Sequence, residues 1–303
     1  MELVVSFFTG LDIGGTKIAG AVFSEDGKEI GQIVAPTPKN YSAIVTTCKD
    51  IVEQLNAKCG QRALIGVGVP GAMDRASGKI THAANLHGLI GRPLQADLEK
   101  ALGAKVRIAN DANCSALAEA VDGAGKGHAT VFGLIMGTGV GGGFIASGKI
   151  IEGVNGMTGE IGHLPLPAYE ASDGVLVQCG CGQKGCIESL TNGAALARLY
   201  EAMTGKKADA VQIAAAAGRA DGDAVRVLDR FYIVVAKAMI TIVHSFDPDI
   251  VVVSGGLNGL PGMYDEVPKR WGHYTPCKEL KTKFVPAKFG AMAGIRGAAW
   301  LWR

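Results

Sequence analysis

Cys179, Cys181 and Cys186 fall within eight residues of one another in "QCGCGQKGCIES". Thiols this close, on a segment opened by Gly180, Gly182 and Gly185, could bind a metal, run a redox cycle or form a crosslink. The C-x-C-x₄-C spacing is not the C-x-x-C of thioredoxin-like centres. His163, in "GEIGHLPLP", is the nearest histidine, sixteen residues before Cys179. With it the set becomes Cys₃His, the closed tetrahedral ligation of structural zinc, whereas a catalytic zinc keeps an open position. His82, His87 and His244 have no cysteine nearby and read as ordinary polar residues. Glu160 precedes His163 by three residues and Glu188 follows Cys186 by two. A metal between them would fix both loops and aim the carboxylates at a ligand; without it they are solvated surface charges.

Two glycine-threonine turns carry a second kind of chemistry. "DIGGTK" (Asp12 to Lys17) and "GTGVGGG" (Gly137 to Gly143) each join apolar segments of strand character. The backbone N–H groups of Gly14, Gly15, Thr16 and Lys17, and those of Gly137, Thr138 and Gly139, suit a hairpin wrapped around phosphate oxygens. Either turn alone is equally an ordinary β-turn. Asp12 tips the balance, because a carboxylate beside a phosphate is repulsive unless a cation, here Mg²⁺, lies between them. Two formal motif matches fail. Gly137 to Gly142 satisfies G-x-G-x-x-G, but a strand-like "FIASGKII" follows where a helix N-terminus must receive the pyrophosphate. Gly143 to Ile150 falls one residue short of a P-loop, with Ile150 where a Ser or Thr must reach Mg²⁺. In "IANDANC", Asp111 stands where a buried strand meets a helix. It is either an N-cap, a role that Asn110 or Asn113 could also fill, or a general base facing a cleft. A base placed to accept the proton of an attacking hydroxyl contributes ~10² to 10⁴ in rate.

These groups need elements to position them. Residues 1 to 35 read as a strand, a glycine turn and a hairpin; a helical pattern at 41 to 59, the strand "ALIGVGVPG", a helix near 94 to 102 and the strand "KVRIAN" follow. A helix from "DANC" leads to a second β region at "ATVFGLIMGTGVGGGFIASGKII", where the opening pattern recurs. Residues 194 to 245 read as largely helical, "DIVVVSGGL" as a late strand, and "AGIRGAAWLW" as a closing apolar helix. The order is that of an α/β protein with two lobes, and 303 residues suit two domains better than one. We expect a small α/β domain from 1-115 plus the C-terminal helix 290-303, and a large α/β domain over 116-289 with the zinc site. Hydrophobic content of 48% against 19% charge describes a globular chain, and a net charge of +2 without a basic run argues against nucleic acid as a partner. No apolar run reaches the roughly 18 residues of a membrane span. Seven cysteines and no export signal point to a cytoplasmic setting. Glycine, at 44 residues, is about twice the usual frequency of roughly 7%, so backbone must approach something closely at many places.

"LDIGGTK", "NDANC", "GTGVGGG", "GEIGH" and "CGCGQKGCIE" together resemble the ROK family of sugar kinases and related repressors, over essentially the whole chain. Within that family the likeness is greatest to bacterial N-acetyl-D-glucosamine kinases, and "TGEIGHLPLP" and "GAAWLW" are also similar to fructokinase and mannokinase members. The resemblance implies an actin-like ATPase (ribonuclease H-like) fold of two α/β lobes around a central cleft. It further implies a homodimer, and ATP- and Mg²⁺-dependent phosphorylation of an amino sugar or another hexose at the 6-hydroxyl, with N-acetylglucosamine the expected substrate and fructose, mannose or glucose the alternatives. By motif, Asp111 would be the base and Asp12 would organise Mg²⁺. Gly14, Gly15, Thr16, Lys17, Gly137, Thr138 and Gly139 would hold phosphates, with Gly255 and Gly256 beside the adenosine. Asn110, Asp111, Glu160, His163 and Glu188 would meet sugar hydroxyls, with Gly71 and Asn85 near the ring or its 2-substituent. His163 would serve zinc through one ring nitrogen and sugar through the other. Repressors of the family carry an N-terminal helix-turn-helix, and the eleven residues before Asp12 are too few for one. Residues 168 to 178 have no role in this pattern.

Overall fold

The computed structural model describes residues 6–74, 77–83, 86–277 and 279–303. The chain forms two compact units: Met1–Gly127 with Gly148–Thr158 and Ala291–Arg303, and His128–Ser147 with Gly159–Gly290.

In the first unit, β1 (Phe7–Ile13), β2 (Lys17–Ser24) and β3 (Glu29–Pro36) form an antiparallel meander. Strand β4 (Leu64–Val69) lies parallel to β1, and a small antiparallel pair, β5 (Ala72–Met73) and β6 (Ile80–His82), follows it. With β7 (Val106–Asn110) parallel to β4, the main sheet runs β3-β2-β1-β4-β7. The crossovers are α1 (Tyr41–Cys59) and α2 (Leu94–Leu102). Helix α1 buries Ile44, Cys48, Ile51, Val52 and Leu55, one stripe of a 3.6-residue period, in a core shared with Leu11, Ile13, Ile18 and Val22. Asn40 caps its start and Gly60, in the left-handed conformation, its end. The C-terminal helix α9 (Ala293–Trp300) packs on β1, β4 and α3 (Asp111–Val121), and the unit also contains the short strand β10 (Lys149–Ile150). Glycine permits that packing, because a Cβ on Gly10 would stand 1.8 Å from the Ile295 carbonyl oxygen and one on Gly66 1.8 Å from that of Ala298.

The second unit repeats the plan. Strands β8 (Thr130–Met136) and β9 (Val140–Ala146) form an antiparallel hairpin, and β11 (Ile250–Ser254) and β12 (Lys283–Pro286) extend it in parallel, in the order β9-β8-β11-β12. Its helices are α4 (Ile187–Thr191), α5 (Gly193–Thr204), α6 (Ala210–Gly218), α7 (Gly222–Phe246) and α8 (Met263–Trp271). The helical region expected at 194 to 245 is thus three helices, divided where Gly205 ends one in the left-handed conformation and where Asp209 and Asp221 cap the next two. Helix α8 was not legible, since Pro268 lies inside it. Buried Met263, Val267 and Trp271, four residues apart, hold it against the core. Among the described residues, no helix is long and apolar enough to cross a membrane.

Candidate active site

Parallel pairing in the first unit brings strand ends together. In register, Asp12 of β1 faces Gly68 of β4, Gly68 faces Ala109 of β7, and Val69 faces Asn110. Open α/β sheets bind ligands outside such carboxyl ends. Asn110 is the cap of α3: its Oδ1 accepts from the N–H groups of Ala112 (2.9 Å) and Asn113 (3.2 Å), and its Nδ2 donates to the Gly71 carbonyl oxygen at 3.0 Å. Asp111 is the first helical residue, its Oδ1 accepting from the Ala112 N–H at 2.8 Å. Burial holds the Asp12 carboxyl above the usual carboxylate range, with the Lys17 charge pulling the other way. The Cys114 thiol, buried in α3, is pushed well up by desolvation and then by the negative charges of Asp111, Asp12 and Glu152. The charges of all three carboxylates act on that sulfur. Among the described residues they do not draw together into a ligand group of the kind the His163–Cys179–Cys181 set forms. Gly71, Met73, Ile108, Asn110, Asn113 and Glu152 line a pocket. Asn85 lies outside the described residues.

Each glycine-threonine turn closes a hairpin, as its sequence requires. Between β1 and β2, the Gly14 N–H donates to the Lys17 carbonyl oxygen, and Thr37 braces the loop through its N–H to the Thr16 carbonyl and its hydroxyl to the Gly14 carbonyl at 2.6 Å. Gly15, Thr16 and Lys17 are exposed. Between β8 and β9, the Gly137 N–H donates to the Gly139 carbonyl oxygen, and Thr138 and Gly139 are exposed. The Gly193 N–H at the start of α5 donates to the Gly137 carbonyl, and Asn192 Nδ2 to that of Thr138 at 3.0 Å. A Cβ on Gly137 would lie 3.5 Å from the Gly256 nitrogen, so the turn and the Gly255–Gly256 pair are neighbours. A helix N-terminus beside exposed N–H groups favours anions. The role of Asn192 and Gly193 was not read from the sequence, although an Asn before a helical run is a cap signal. The strand β9 after Gly139 bears out the exclusion of a dinucleotide fingerprint, and no helix follows the near P-loop at Gly143 to Ile150.

The cysteine segment folds as a tight knuckle, with the Cys179 N–H donating to the Gln183 carbonyl and the Gly182 N–H to that of Cys179. His163 Nδ1 is 3.5 Å from Cys179 Sγ, and Cys181 Sγ is 3.6 Å from Cys186 Sγ. The donor atoms of His163, Cys179 and Cys181 all lie within 4.8 Å of one another. A tetrahedron with zinc–sulfur bonds of 2.3 Å and zinc–nitrogen bonds near 2.0 Å has edges of about 3.4–3.8 Å, so these separations fit that ion. His163 Nε2 faces the other way and lies 3.8 Å from Glu160. Glu188, at the start of α4, accepts from the Val140 N–H through Oε2 at 2.9 Å and lies 3.5 Å from Cys179 Sγ through Oε1. It therefore ties the knuckle to the end of the second glycine-threonine turn.

Residues 168 to 178 acquire a role in the structure. Lys237, fully buried in α7, donates to the Ala168 carbonyl and to Asp173 Oδ2, each at 2.8 Å. Arg230, two turns earlier on α7, donates to the Ser172 carbonyl at 2.9 Å and to Asp173 Oδ1. The loop from His163 to Cys179 is thus pinned to the longest helix of its unit. The signal available in sequence was a lysine inside the apolar run "FYIVVAKAMITIV".

A hairpin with a glycine-threonine turn, extended by parallel strands and built twice, is the plan of the actin-like ATPase fold. Residues 8–303 match the ROK family, and the chain belongs to it. It is 38% identical over 299 residues to the N-acetyl-D-glucosamine kinase of Vibrio parahaemolyticus, covering 97% of this chain and 99% of that one. Among solved structures, the ROK hexokinase of Thermus thermophilus is 33% identical with a TM-score of 0.83, over 97% of each chain. A ROK glucokinase from Streptomyces griseus, solved with glucose and AMPPNP, is 29% identical with a TM-score of 0.74, over 98% of this chain and 99% of that one.

Proposed function

We propose that the protein transfers the γ-phosphoryl group of ATP to the 6-hydroxyl of N-acetyl-D-glucosamine, with Asp111 as general base. The observation that carries the base assignment is the division of labour at the start of α3. Asn110 supplies the cap, so Asp111 is not needed for it, and it stands at a strand end with Asp12 and the pocket that Asn110 and Gly71 line. Full-length likeness to curated N-acetyl-D-glucosamine kinases supports the choice of substrate.

In this reading Asp111 accepts the proton of the sugar hydroxyl as its oxygen attacks phosphorus, and the ADP oxygen leaves on the opposite side. Gly15, Thr16, Lys17, Thr138 and Gly139 hold phosphate oxygens through backbone N–H groups, Gly14 and Gly137 close the two turns through theirs, and Gly255 and Gly256 lie along the adenosine. Asp12 would hold Mg²⁺, which supplies charge neutralisation to the phosphates when bound. Asn110, Glu160, His163 and Glu188 orient the hydroxyls, and His163, Cys179, Cys181 and Cys186 would hold a zinc ion whose contribution is to stiffen that loop. A neutral hexose is the second reading, favoured by the likeness to the Thermus hexokinase. The expected assembly is a homodimer, for which light scattering should return twice the chain mass.

The test couples ADP release to a panel of N-acetylglucosamine, N-acetylmannosamine, glucose, mannose and fructose, with phosphorus NMR to identify the ester. Asp111→Asn should bind sugar nearly as well as the wild type and lose at least ~10² in kcat. Turnover within a few-fold of wild type would refute the base assignment.

A further inference from the structure

Asn113 occupies the third position of α3 and is only 4% exposed. It does not cap the helix, since Asn110 does. Its Oδ1 is enclosed and has no hydrogen-bond donor. Buried polar atoms in folded proteins are nearly always paired, so an orphan of this kind points to a group that the apo protein lacks. Asn113 is also one of the residues that line the pocket with Gly71, Asn110 and Glu152. Much of the remaining wall is apolar, from Val69, Ala72, Met73 and Ile108, and Gly153 and Gly156 add no side chain.

We infer that Asn113 reads the acylamido group of the substrate. This rests on the reading that the substrate is an N-acetylated amino sugar, and it names the residue that makes the protein prefer one. An acetamido substituent has one N–H donor, one carbonyl acceptor and one methyl group. A side-chain carboxamide offers an acceptor and two donors in one plane, so it complements the substrate amide whichever way its own end is turned. The methyl group is matched by Val69, Ala72, Met73 and Ile108. A hexose with a bare hydroxyl at that carbon leaves both the carboxamide and the apolar wall unserved. Sites built to hydrogen-bond a substrate group discriminate strongly against analogues without it.

The experiment compares kcat/KM for N-acetylglucosamine and for glucose in wild type and Asn113→Leu, a somewhat bulkier change that keeps the branched four-atom skeleton and removes the amide. The ratio of the two values should fall roughly 10- to 100-fold, carried by the KM for N-acetylglucosamine. A folded variant that keeps the wild-type ratio, whether both sugars lose alike or neither does, overturns the inference. Should Asn113→Leu fail to fold, Asn113→Ser is read the same way, with a fall of roughly 3- to 10-fold expected and an unchanged ratio again overturning it. If the wild type turns over glucose but shows no preference for the acetamido sugar, this inference fails while the kinase reading stands. If the wild type turns over neither sugar, the kinase reading fails and takes this inference with it.

Discussion

Lys237→Met should unfold the second unit at a markedly lower temperature. The ammonium and the Asp173 carboxylate it meets at 2.8 Å are both essentially inaccessible, 1% and 0% exposed at the side chain. Removing one member of a buried pair typically costs 3–5 kcal/mol, because the other charge is left without compensation. Arg230 still reaches Asp173 Oδ1, so the low end, about 3 kcal/mol, applies here. For a unit of roughly 150 residues, each kcal/mol shifts the midpoint by about 2–4 °C, which gives about 6–12 °C. Calorimetry reads the shift, and a colorimetric chelator read in parallel should show faster metal release, since the pinned loop connects His163 to Cys179. Lys237→Met combined with Asp173→Leu should recover most of the loss, because an apolar replacement of a buried pair is often neutral. A single variant within about 2 °C of wild type, or a double variant as unstable as the single, would refute the reasoning.

Gly66→Ala places a methyl carbon 1.8 Å from the Ala298 carbonyl oxygen, a clash with backbone. It should cost more than about 3 kcal/mol and loosen α9, read by thermal unfolding and by proteolytic release of the C-terminus; an unchanged midpoint would contradict the packing of that helix. Chelation at neutral pH should release zinc and lower stability while leaving the first unit's own transition in place. A chain purified without zinc, yet equally stable, would remove the structural metal from the account.

The strands and most helices were legible because burial follows period. Residues Ile18 to Phe23 form an unbroken buried run, and α1 shows a 3.6-residue stripe. The repeated glycine-threonine turn was visible too, since glycines beside a hydroxyl residue recur between two strand-like runs in each half. Three things were hidden for physical reasons. Pro268 argues locally against α8, and only tertiary burial of Val267 and Trp271 overrides it. The apolar run around Lys237 hints at burial, but its partner Asp173 lies 64 residues away in sequence and only the fold brings it there. Asn113 differs from its neighbour Asn110 only in that one finds N–H donors for its oxygen and the other does not, which no spacing reveals.

The two glycine-threonine turns share one hairpin plan and differ in what supports them. The first is held by Thr37, a single residue on the strand side of its own meander. The second is held by Asn192 and Gly193 from one side and by Glu188 from the other, and Glu188 divides its carboxylate between the Val140 N–H and Cys179 Sγ. A zinc-bound cysteine is a thiolate and has no proton to give Glu188, so the metal would act through the backbone instead: Glu188 follows Cys186 by two residues. A zinc ion that fixed Cys186 would fix the start of α4, and through the Glu188 bond to the Val140 N–H it would hold the strand that begins immediately after Gly139. Loss of the metal should weaken nucleotide binding as well as sugar binding, a coupling that a knuckle serving only its own loop would not produce.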